Sequence, residues 1–121
     1  MPSVTEQRLH ELQTETFISY RPVELEIRRK NWIDDGAGGK KLGVPPEESL
    51  DPQRVRVVGH RRPPVRVIDG VEVQIDKSVV GMPGFDVQLL DTFTHKDYEY
   101  TVVNIQDEPD WRVTAEARRS G

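Results

Sequence analysis

The sequence is dominated by short segments in which apolar and polar residues alternate, and this pattern restricts the fold more than any other feature. Val23, Leu25 and Ile27 alternate with charged residues, so an extended chain would place all three on one face. Similar segments recur at 54–58, 65–75, 87–90, 98–105 and 111–118. About seven short strands separated by turn residues are typical of a small barrel or sandwich. We predict a mainly β fold, a small antiparallel β-barrel over residues 22–118 of a single domain spanning 1–121.

Two of these segments predict details of strand pairing. A two-residue turn at 69–70 would mix valines with polar residues on each face of its hairpin. A three-residue turn, from Ile68 to a left-handed Gly70, would instead pair Val67 with Val71 and keep the valines together, so we predict that turn. The alternation breaks at 102–103, which indicates a β-bulge or a barrel corner.

The residues before the first strand, 1–21, contain a weak helix signal. Ser3 and Glu6 have the spacing of a capping box, and two leucines one turn apart follow them. The apolar face is thin, and isolated helices of this length are marginal in water. We predict either a short helix over 4–14 or an arm that a partner orders.

An unusually long connection separates the first two predicted strands. Residues 33–52 contain four of the nine glycines and three of the nine prolines of the chain. Connections in compact domains are usually about 4 to 6 residues long, and loops beyond roughly 12 to 15 residues tend to be functional or disordered. We predict a long loop here.

The charge of the chain is unevenly distributed. Residues 51–66 carry five basic and one acidic side chain, whereas residues 67–110 carry two basic and ten acidic ones, within a net charge of −4. This balance disfavours general DNA binding through a basic surface. The segregation either presents complementary faces to neighbouring copies or forms solvated faces only.

The composition excludes several kinds of site. With no cysteine, the chain has no disulfides, no thiolate nucleophile and no sulfur-rich zinc site. No apolar run approaches the roughly 20 residues of a membrane span, and the first residues lack a secretion-signal pattern. We therefore expect a soluble, unprocessed protein without membrane partners.

The sequence shows no convergent catalytic or metal-binding motif. His10, His60 and His95 share no motif and are predicted as surface residues. The aspartates near predicted turns, where their side chains bond backbone N–H groups, are Asp69, Asp76, Asp86, Asp91 and Asp97. The glycines at 36–39 lack the context of a phosphate-binding loop. We expect no enzyme activity, no catalytic or metal residues, and no cofactor.

One cluster of arginines follows the long loop. Its members are Arg54, Arg56, Arg61, Arg62 and Arg66. The cluster lacks interleaved aromatic residues for base stacking. Its arginines are candidates for a ring or partner interface, with phosphate contacts and a solvated face as the alternatives.

The order of segments resembles a phage protein family. "RPVELEIRRK", a glycine-rich insertion, "LDPQRVRVV", "VVGMPGFDVQLLDTF", "YEYTVVNI" and "RVTAEAR" follow one another over residues 17–118. This order is similar to the head-to-tail stopper, or head-closure, proteins of long-tailed phages, especially phages of mycobacteria. The positions matching the family's turn and following strand are Gly81, Pro83, Asp86, Asp91, Phe93 and Tyr98. Where relatives usually carry glycine, this chain has Leu90 and Asp97.

The resemblance implies a structural protein of the virion neck, at the head-tail connector. Such a protein is assembled in the host bacterial cytoplasm and forms a homo-oligomeric ring, expected to be six-fold. The ring docks below the portal-adaptor complex, closes the DNA channel after packaging, and offers a surface to the tail terminator or tail tube. Genomic DNA passes through its centre.

In such proteins the long loop after the first strand enters the channel and gates it. The corresponding residues are Asp34, Asp35, Gly36, Gly38, Gly39, Lys40 and Lys41. The glycines would leave the tip free to move, the aspartates would discourage DNA from adhering, and the lysines would contact phosphates. The alternative is a disordered loop without a gating role.

Two other functions stay open from the sequence. Another neck or tail-end ring protein, such as a tail terminator, would have a similar small barrel and a different neighbour. A small nucleic-acid-binding β-barrel module fits the arginine cluster but not the acidic balance.

Overall fold

The structure, a computed structural model, describes residues 4–107 and 110–120, with the backbone alone for Val4. Within these residues one helix and ten strands follow in order: α1 (Val4–Tyr20), β1 (Val23–Leu25), β2 (Arg28–Asp34), β3 (Lys40–Ser49), β4 (Gln53–Gly59), β5 (Val65–Ile68), β6 (Val71–Gln74), β7 (Lys77–Gly81), β8 (Thr92–His95), β9 (Tyr98–Gln106) and β10 (Val113–Arg119). The predicted helix is present and extends beyond residue 14 to Tyr20. Its predicted cap, Ser3, lies outside the described residues.

Eight of the strands form one antiparallel sheet, in the order β1-β4-β7-β10-β9-β8-β2-β3. The sheet curls into a half-barrel, which confirms the predicted mainly β, barrel-like fold with an N-terminal helix. The strands β5 and β6 form a separate two-stranded hairpin.

The concave face of the sheet holds the core. Its buried residues are Leu25, Ile27, Val55, Val79, Phe93, Tyr100, Val102, Ala115 and Ala117. Alternation along β10 places Glu116 on the opposite, convex face, where it is in register with Ser78 of β7. The helix α1 and the β5–β6 hairpin both lie over this convex face, because Phe17 contacts Arg56 and Arg66 contacts Glu116.

One strand-pairing prediction is confirmed and one is wrong. The pairing of β9 with β10 shifts between Glu116 and Ala117, which leaves Val103 as the extra residue of a β-bulge. The β5–β6 hairpin, however, pairs Ile68 with Val71 and turns through two left-handed residues, at 69–70. This is the turn that mixes valines with polar residues on one face. This mixing is tolerated because the hairpin does not enclose the core, and Val67 is 71% exposed.

The predicted strand at 87–90 is also wrong, because residues 82–91 form consecutive turns. The N–H of Phe85 donates to the carbonyl of Met82 over 2.9 Å, and the N–H of Asp91 donates to the carbonyl of Gln88 over 3.1 Å. These local bonds replace the ladder bonds that a strand would make. The segment returns to the sheet through Leu90, whose N–H donates to the carbonyl of Val102 over 2.8 Å.

Left-handed backbone occurs at both positions where the resembled family carries glycine. Leu90 and Asp97 each have φ of 70°. Asp97 lies in the β8–β9 turn beside Lys96, whose φ is 50°. Aspartate adopts this conformation readily, whereas leucine rarely does. Leu90 therefore adopts a turn conformation that glycine would adopt more readily.

Candidate functional site

The segment predicted as a loop over 33–52 is mostly a β-hairpin. Lys40, Lys41 and Leu42 pair with the end of β2, so only residues 35–39 form the connecting turn. A register shift between Lys30 and Trp32 accommodates extra residues in β3, including Pro45 after a cis peptide bond. These prolines and glycines hid the strand, since they interrupt the alternation by which the other strands were predicted.

This β2–β3 hairpin projects from the sheet. Its inner strand β2 is in register with β8 only at Arg28 and Thr92, and its outer strand β3 is an edge of the sheet. Beyond that point most side chains are exposed, and Val44 is 98% exposed. The hairpin is therefore the part of the described chain best placed to reach another molecule.

Both aspartates of the candidate gate organise the tip of the hairpin. One oxygen of Asp34 accepts the N–H of Gly36 over 2.9 Å. One oxygen of Asp35 accepts the N–H groups of Ala37 and Gly39 over 2.8 and 3.0 Å. Because the first of the three glycines has φ of 81°, it meets a conformational requirement of the turn as well as loosening the chain. The tip is a hydrogen-bonded turn that carries two carboxylates.

An aromatic residue that the sequence analysis did not single out lies beside the predicted lysines. Trp32 is in register with Leu42, and the two side chains are 54% and 44% exposed. Lys40 lies two residues before Leu42 on β3, in register with Asp34, and the Lys30 nitrogen lies 5.8 Å from the centre of the Trp32 ring. The hairpin thus carries an exposed apolar pair next to cations. The spacing of Lys30, Trp32 and Asp34, two residues apart, could have indicated a strand with Trp32 between charged residues on one face.

A group of paired charges around the buried Asp91 fixes the base of the hairpin. Arg29 of β2 donates two hydrogen bonds to Asp91, at 3.1 and 2.9 Å, and a third to Asp86 at 2.9 Å. Asp91 is only 2% exposed and also accepts the N–H of Gln88 over 2.7 Å. The hydrogen bonds to Asp91, together with those to Asp86, raise the pKa of Arg29 above its ordinary value. We call Arg29, Asp86 and Asp91 the base cluster.

The base cluster modifies the prediction for its two aspartates. Asp91 bonds the backbone of its own turn, as predicted from its position, and both aspartates also form an ion pair with β2. A further pair of bonds ties the same turn to β4, since the side chain of Gln53 bonds the N–H and the carbonyl of Asp86 over 2.7 and 2.9 Å. The hairpin therefore leaves the body from a fixed base.

The five clustered arginines serve different local purposes. Arg54 donates to Ser19 Oγ over 2.7 Å, and Arg56 donates to the carbonyl of Phe17 over 3.3 Å while its guanidinium lies 3.9 Å from the Phe17 ring. Both cations therefore bind the C-terminal turn of α1, where the helix dipole favours positive charge. These two residues hold the helix on the sheet.

Arg66 belongs to a second group of polar residues, which surrounds the buried Glu116. It donates to both oxygens of Glu116, with bonds of 3.0 to 3.3 Å, and Asn104 donates to the same carboxylate over 2.6 Å. Glu116 is 3% exposed. Burial opposes its ionisation, but the hydrogen bonds from Arg66 and Asn104 outweigh that effect and hold the pKa of Glu116 below its ordinary value. We call Glu116, Arg66 and Asn104 the sheet-face cluster.

A serine and a histidine meet beside the sheet-face cluster. His60 Nε2 lies 2.8 Å from Ser78 Oγ, and Ser78 is in register with Glu116. The residue types suggest a nucleophile, a base and an acid. The geometry does not match such a catalytic arrangement, because the Glu116 carboxylate is bonded by Arg66 and Asn104, and Ser78 is only 8% exposed. The His60–Ser78 bond instead ties the end of β4 to β7, and the Arg66–Glu116 bonds hold the β5–β6 hairpin against the sheet.

Arg61 and Arg62 remain from the arginine cluster. Both lie in the bend between β4 and β5, both are exposed, and neither has a hydrogen bond or ion pair with any residue that the structure describes. The cluster predicted as one interface is therefore divided. Two arginines bind α1, one binds Glu116, and two are exposed.

The described parts of the chain, 4–107 and 110–120, contain no group of acidic residues and histidines arranged to hold a metal ion. Nor does any helix in these ranges have the length and apolar character needed to cross a bilayer. No protein-family model matches the chain, and no curated protein matches its sequence significantly.

Proposed function

We propose that the protein is a head-to-tail stopper of a phage neck, a structural virion protein that forms a ring below the portal-adaptor complex. The observation that carries this proposal is the β2–β3 hairpin, which projects beyond its one pairing with the half-barrel at Arg28. The order of sequence segments that resembles the stopper family supports it independently. A ring of such subunits presents its hairpins towards a common centre, where they close the DNA channel.

The hairpin suits a gate whose position is fixed and whose end contacts DNA. Arg29 holds the base through its ion pairs with the buried Asp91 and the exposed Asp86, whereas beyond the base β2 and β3 pair only with each other. Lys40 and Lys41 lie on opposite faces of β3, so one lysine faces each side of the hairpin. A ring multiplies these charges, and lysine contacts with phosphate retain the end of the genome.

The remaining parts of the proposal concern its setting. The ring, six-fold as the resemblance implies, receives the tail terminator or tail tube on its lower side. Assembly is templated, so that rings form only on the portal-adaptor complex. The basic segment 51–66 and the acidic segment 67–110 lie on one small protein, and isolated copies lack the portal-adaptor surface. The proposal requires no catalytic residue and no cofactor.

A second candidate function is a nucleic-acid-binding module, favoured by Trp32 on the projecting hairpin. An exposed aromatic ring beside lysines is the arrangement on which single-stranded bases stack. If this is the function, the isolated chain binds single-stranded oligonucleotides, and Trp32→Ala weakens that binding more than Lys41→Ala does. A stopper shows no such preference for single strands.

The first test is the position of the chain in the parent particle. We expect an electron-microscopy map to place a ring of this chain between the adaptor and the tail tube. A position below the tail tube or at the tail end would replace the stopper by another ring protein, and absence from the particle would remove the virion function.

The second test shortens the hairpin without altering its base. Arg28, Arg29 and Lys30 are in register with Ser49, Glu48 and Glu47. A variant in which an Asn-Gly turn replaces residues 31–46 therefore keeps these pairs and the base cluster. We expect the variant to fold and bind below the adaptor, and filled heads that carry it to lose DNA. Heads that retain their genome as well as those with the intact hairpin would contradict gating.

Charge gives a control for the same assay. Lys40→Ala with Lys41→Ala keeps the hairpin and removes the proposed phosphate contacts. We expect weaker retention of DNA than in the unchanged protein. The loss of retention caused by the two substitutions should be larger at low salt than at high salt. Lysine contacts with phosphate release counterions, and this release is less favourable when the salt concentration is high.

A further inference from the structure

The helix α1 packs on the sheet with its more polar side. Its least exposed residues, spaced at helical intervals, are Gln7, His10, Glu11, Thr14 and Ile18. Only the last of these is apolar, and Thr14 and Ile18 are the two that are fully buried. A helix of a globular protein normally turns its apolar stripe towards the core.

The opposite side of α1 carries its exposed apolar residues. Leu9, Leu12 and Tyr20 are 55%, 43% and 74% exposed. The body holds the helix instead through aromatic and polar contacts, including the stacked rings of His10 and Trp111, 4.0 Å apart, and the arginine contacts at its C-terminal turn. The helix is therefore attached to its own chain while its apolar face is directed outwards.

The outward face of α1 is acidic as well as apolar. Of its three glutamates, Glu11 lies on the side towards the sheet and pairs with Arg8 over 3.7 Å. The exposed Glu6 and Glu15 therefore supply the acidic charge of the outer side. Glu15 is exposed, with no hydrogen bond or ion pair to any of the residues that the structure describes. A partner for this face must offer apolar contacts together with positive charge.

The same chain has a surface with the complementary character. The bend before β5 carries the exposed Arg61 and Arg62, whose charges are not paired within the described residues. Immediately after it, Val65 and Val67 lie on one face of β5 and are 55% and 71% exposed. The two arginines and two valines form what we call the bend surface.

We propose that the outer face of α1 in one copy docks on the bend surface of a second copy. The two surfaces are different parts of the chain, so the contact is heterologous and extends from copy to copy until a ring closes. The inference rests on the proposed ring, for which it names the contact between neighbouring subunits. Leucines and valines supply the apolar contact, and the arginines face the glutamates.

The absence of cysteine in the sequence allows a direct test by disulfide trapping. We would mix Leu12→Cys and Val67→Cys proteins at high concentration and oxidise them. We expect the mixed dimer to exceed both homodimers several-fold. Val71→Cys is the matched control, because it is similarly exposed at 61% and lies on the opposite face of the β5–β6 hairpin. Mixed dimers with Val71→Cys should be several-fold fewer.

Charge reversal tests the other half of the contact. In the Val67→Cys protein, Arg61→Glu with Arg62→Glu should reduce the mixed dimer several-fold. Glu6→Arg with Glu15→Arg in the Leu12→Cys protein should restore it. Circular dichroism confirms that the helix persists, and Leu9→Cys with Val65→Cys replaces the first pair if either original variant fails to fold.

Each outcome decides the proposal. A predominance of Leu12→Cys homodimers, equal trapping with Val71→Cys, or no mixed dimer from both folded pairs would overturn it. The result is separate from the test of function. Trapping without a neck position in the particle removes the stopper and leaves the contact, whereas a neck position without trapping does the reverse.

Discussion

The two hairpins of the molecule differ in how much of each is attached to the body. In both, an arginine of the hairpin binds a carboxylate that is almost fully buried: Arg66 binds Glu116, and Arg29 binds Asp91. Arg66 is the second residue of β5, with only two residues between it and the turn of the short β5–β6 hairpin, which lies on the convex face. Arg29 lies at the start of the β2–β3 hairpin, which is fixed only at its base.

The comparison indicates that the length of hairpin beyond its arginine distinguishes a hairpin that lies on the body from one that projects, since two strand residues follow Arg66 in β5 and five follow Arg29 in β2. Neither hairpin inserts an apolar face into the core, and Val67 and Trp32 both remain more than half exposed. Ion pairs therefore set the placement of both hairpins, while the core residues of the concave face determine the half-barrel itself. Variants at the Arg29–Asp91 pair and at the Arg66–Glu116 pair should therefore affect different hairpins.

The largest expected effect is at Asp91. Asp91→Ala leaves the Arg29 charge without its main partner and the N–H of Gln88 without its acceptor. Breaking a buried ion pair in this way lowers the free energy of unfolding by about 3 kcal/mol. Urea denaturation measures the loss. Hydrogen exchange should accelerate in 85–91 and at the start of β2, and not in β5 or β6.

Asp91→Asn is the matched control, because it keeps an acceptor for Gln88 and removes the charge. We expect a smaller loss than for alanine. Equal exchange in the two hairpins of the alanine variant would mean that the base cluster supports the whole fold, and the distinction between the two attachments would be lost.

The next effect concerns the turn that carries the base cluster. A Cβ added at Gly81 would lie 2.6 Å from Cβ of Phe85, so the turn must shift. Gly84 has open space and φ of 100°. Gly81→Val should cost about 2 kcal/mol through overpacking, and Gly84→Val about 1 kcal/mol or more through backbone strain. Unchanged thermal melting of both variants would contradict this turn.

Leu90 gives a smaller effect with the opposite sign. Its left-handed conformation costs a residue with a Cβ roughly 1 to 2 kcal/mol, and glycine avoids this cost. Leu90→Gly should therefore be more stable than Leu90→Ala by about 1 kcal/mol, since both variants remove the exposed side chain. Equal melting temperatures of the two variants would show that position 90 is not strained.

These sites show what the sequence could and could not predict. Alternation located β4, β9 and β10, and the break at 102–103 correctly indicated the bulge. Alternation failed for β3, where prolines and glycines interrupt it. It also selected the wrong turn for β5–β6, because segregation of faces matters only where one face is buried.

The sequence indicated where the tip of the β2–β3 hairpin lies, but not the ion pairs that hold the base of this hairpin on the body. Lysines and aspartates at 34–41 marked the tip. Arg29 and Asp91, however, are 62 positions apart, and no local pattern indicates that they form a pair. The division of the arginine cluster was hidden for the same reason, since Arg54 and Arg66 differ only in the distant residues that they contact.

The smallest expected effect is a dependence on pH that belongs to one hairpin. The pKa of Glu116 is lower in the folded protein than its ordinary value of 4.5. The folded state therefore binds this proton less tightly than the unfolded state, and the stabilisation is present above pH 4.5 and is lost as the pH falls through the lowered pKa. Glu116→Gln cannot titrate, so its urea stability should lie below that of the unchanged protein at neutral pH. The difference should narrow as the pH falls below the ordinary value. Hydrogen exchange at acid pH should accelerate in β5 and β6 of the unchanged protein before it does so in β2. A constant difference between the two proteins at all pH values would show that the charge of Glu116 does not hold the β5–β6 hairpin on the sheet.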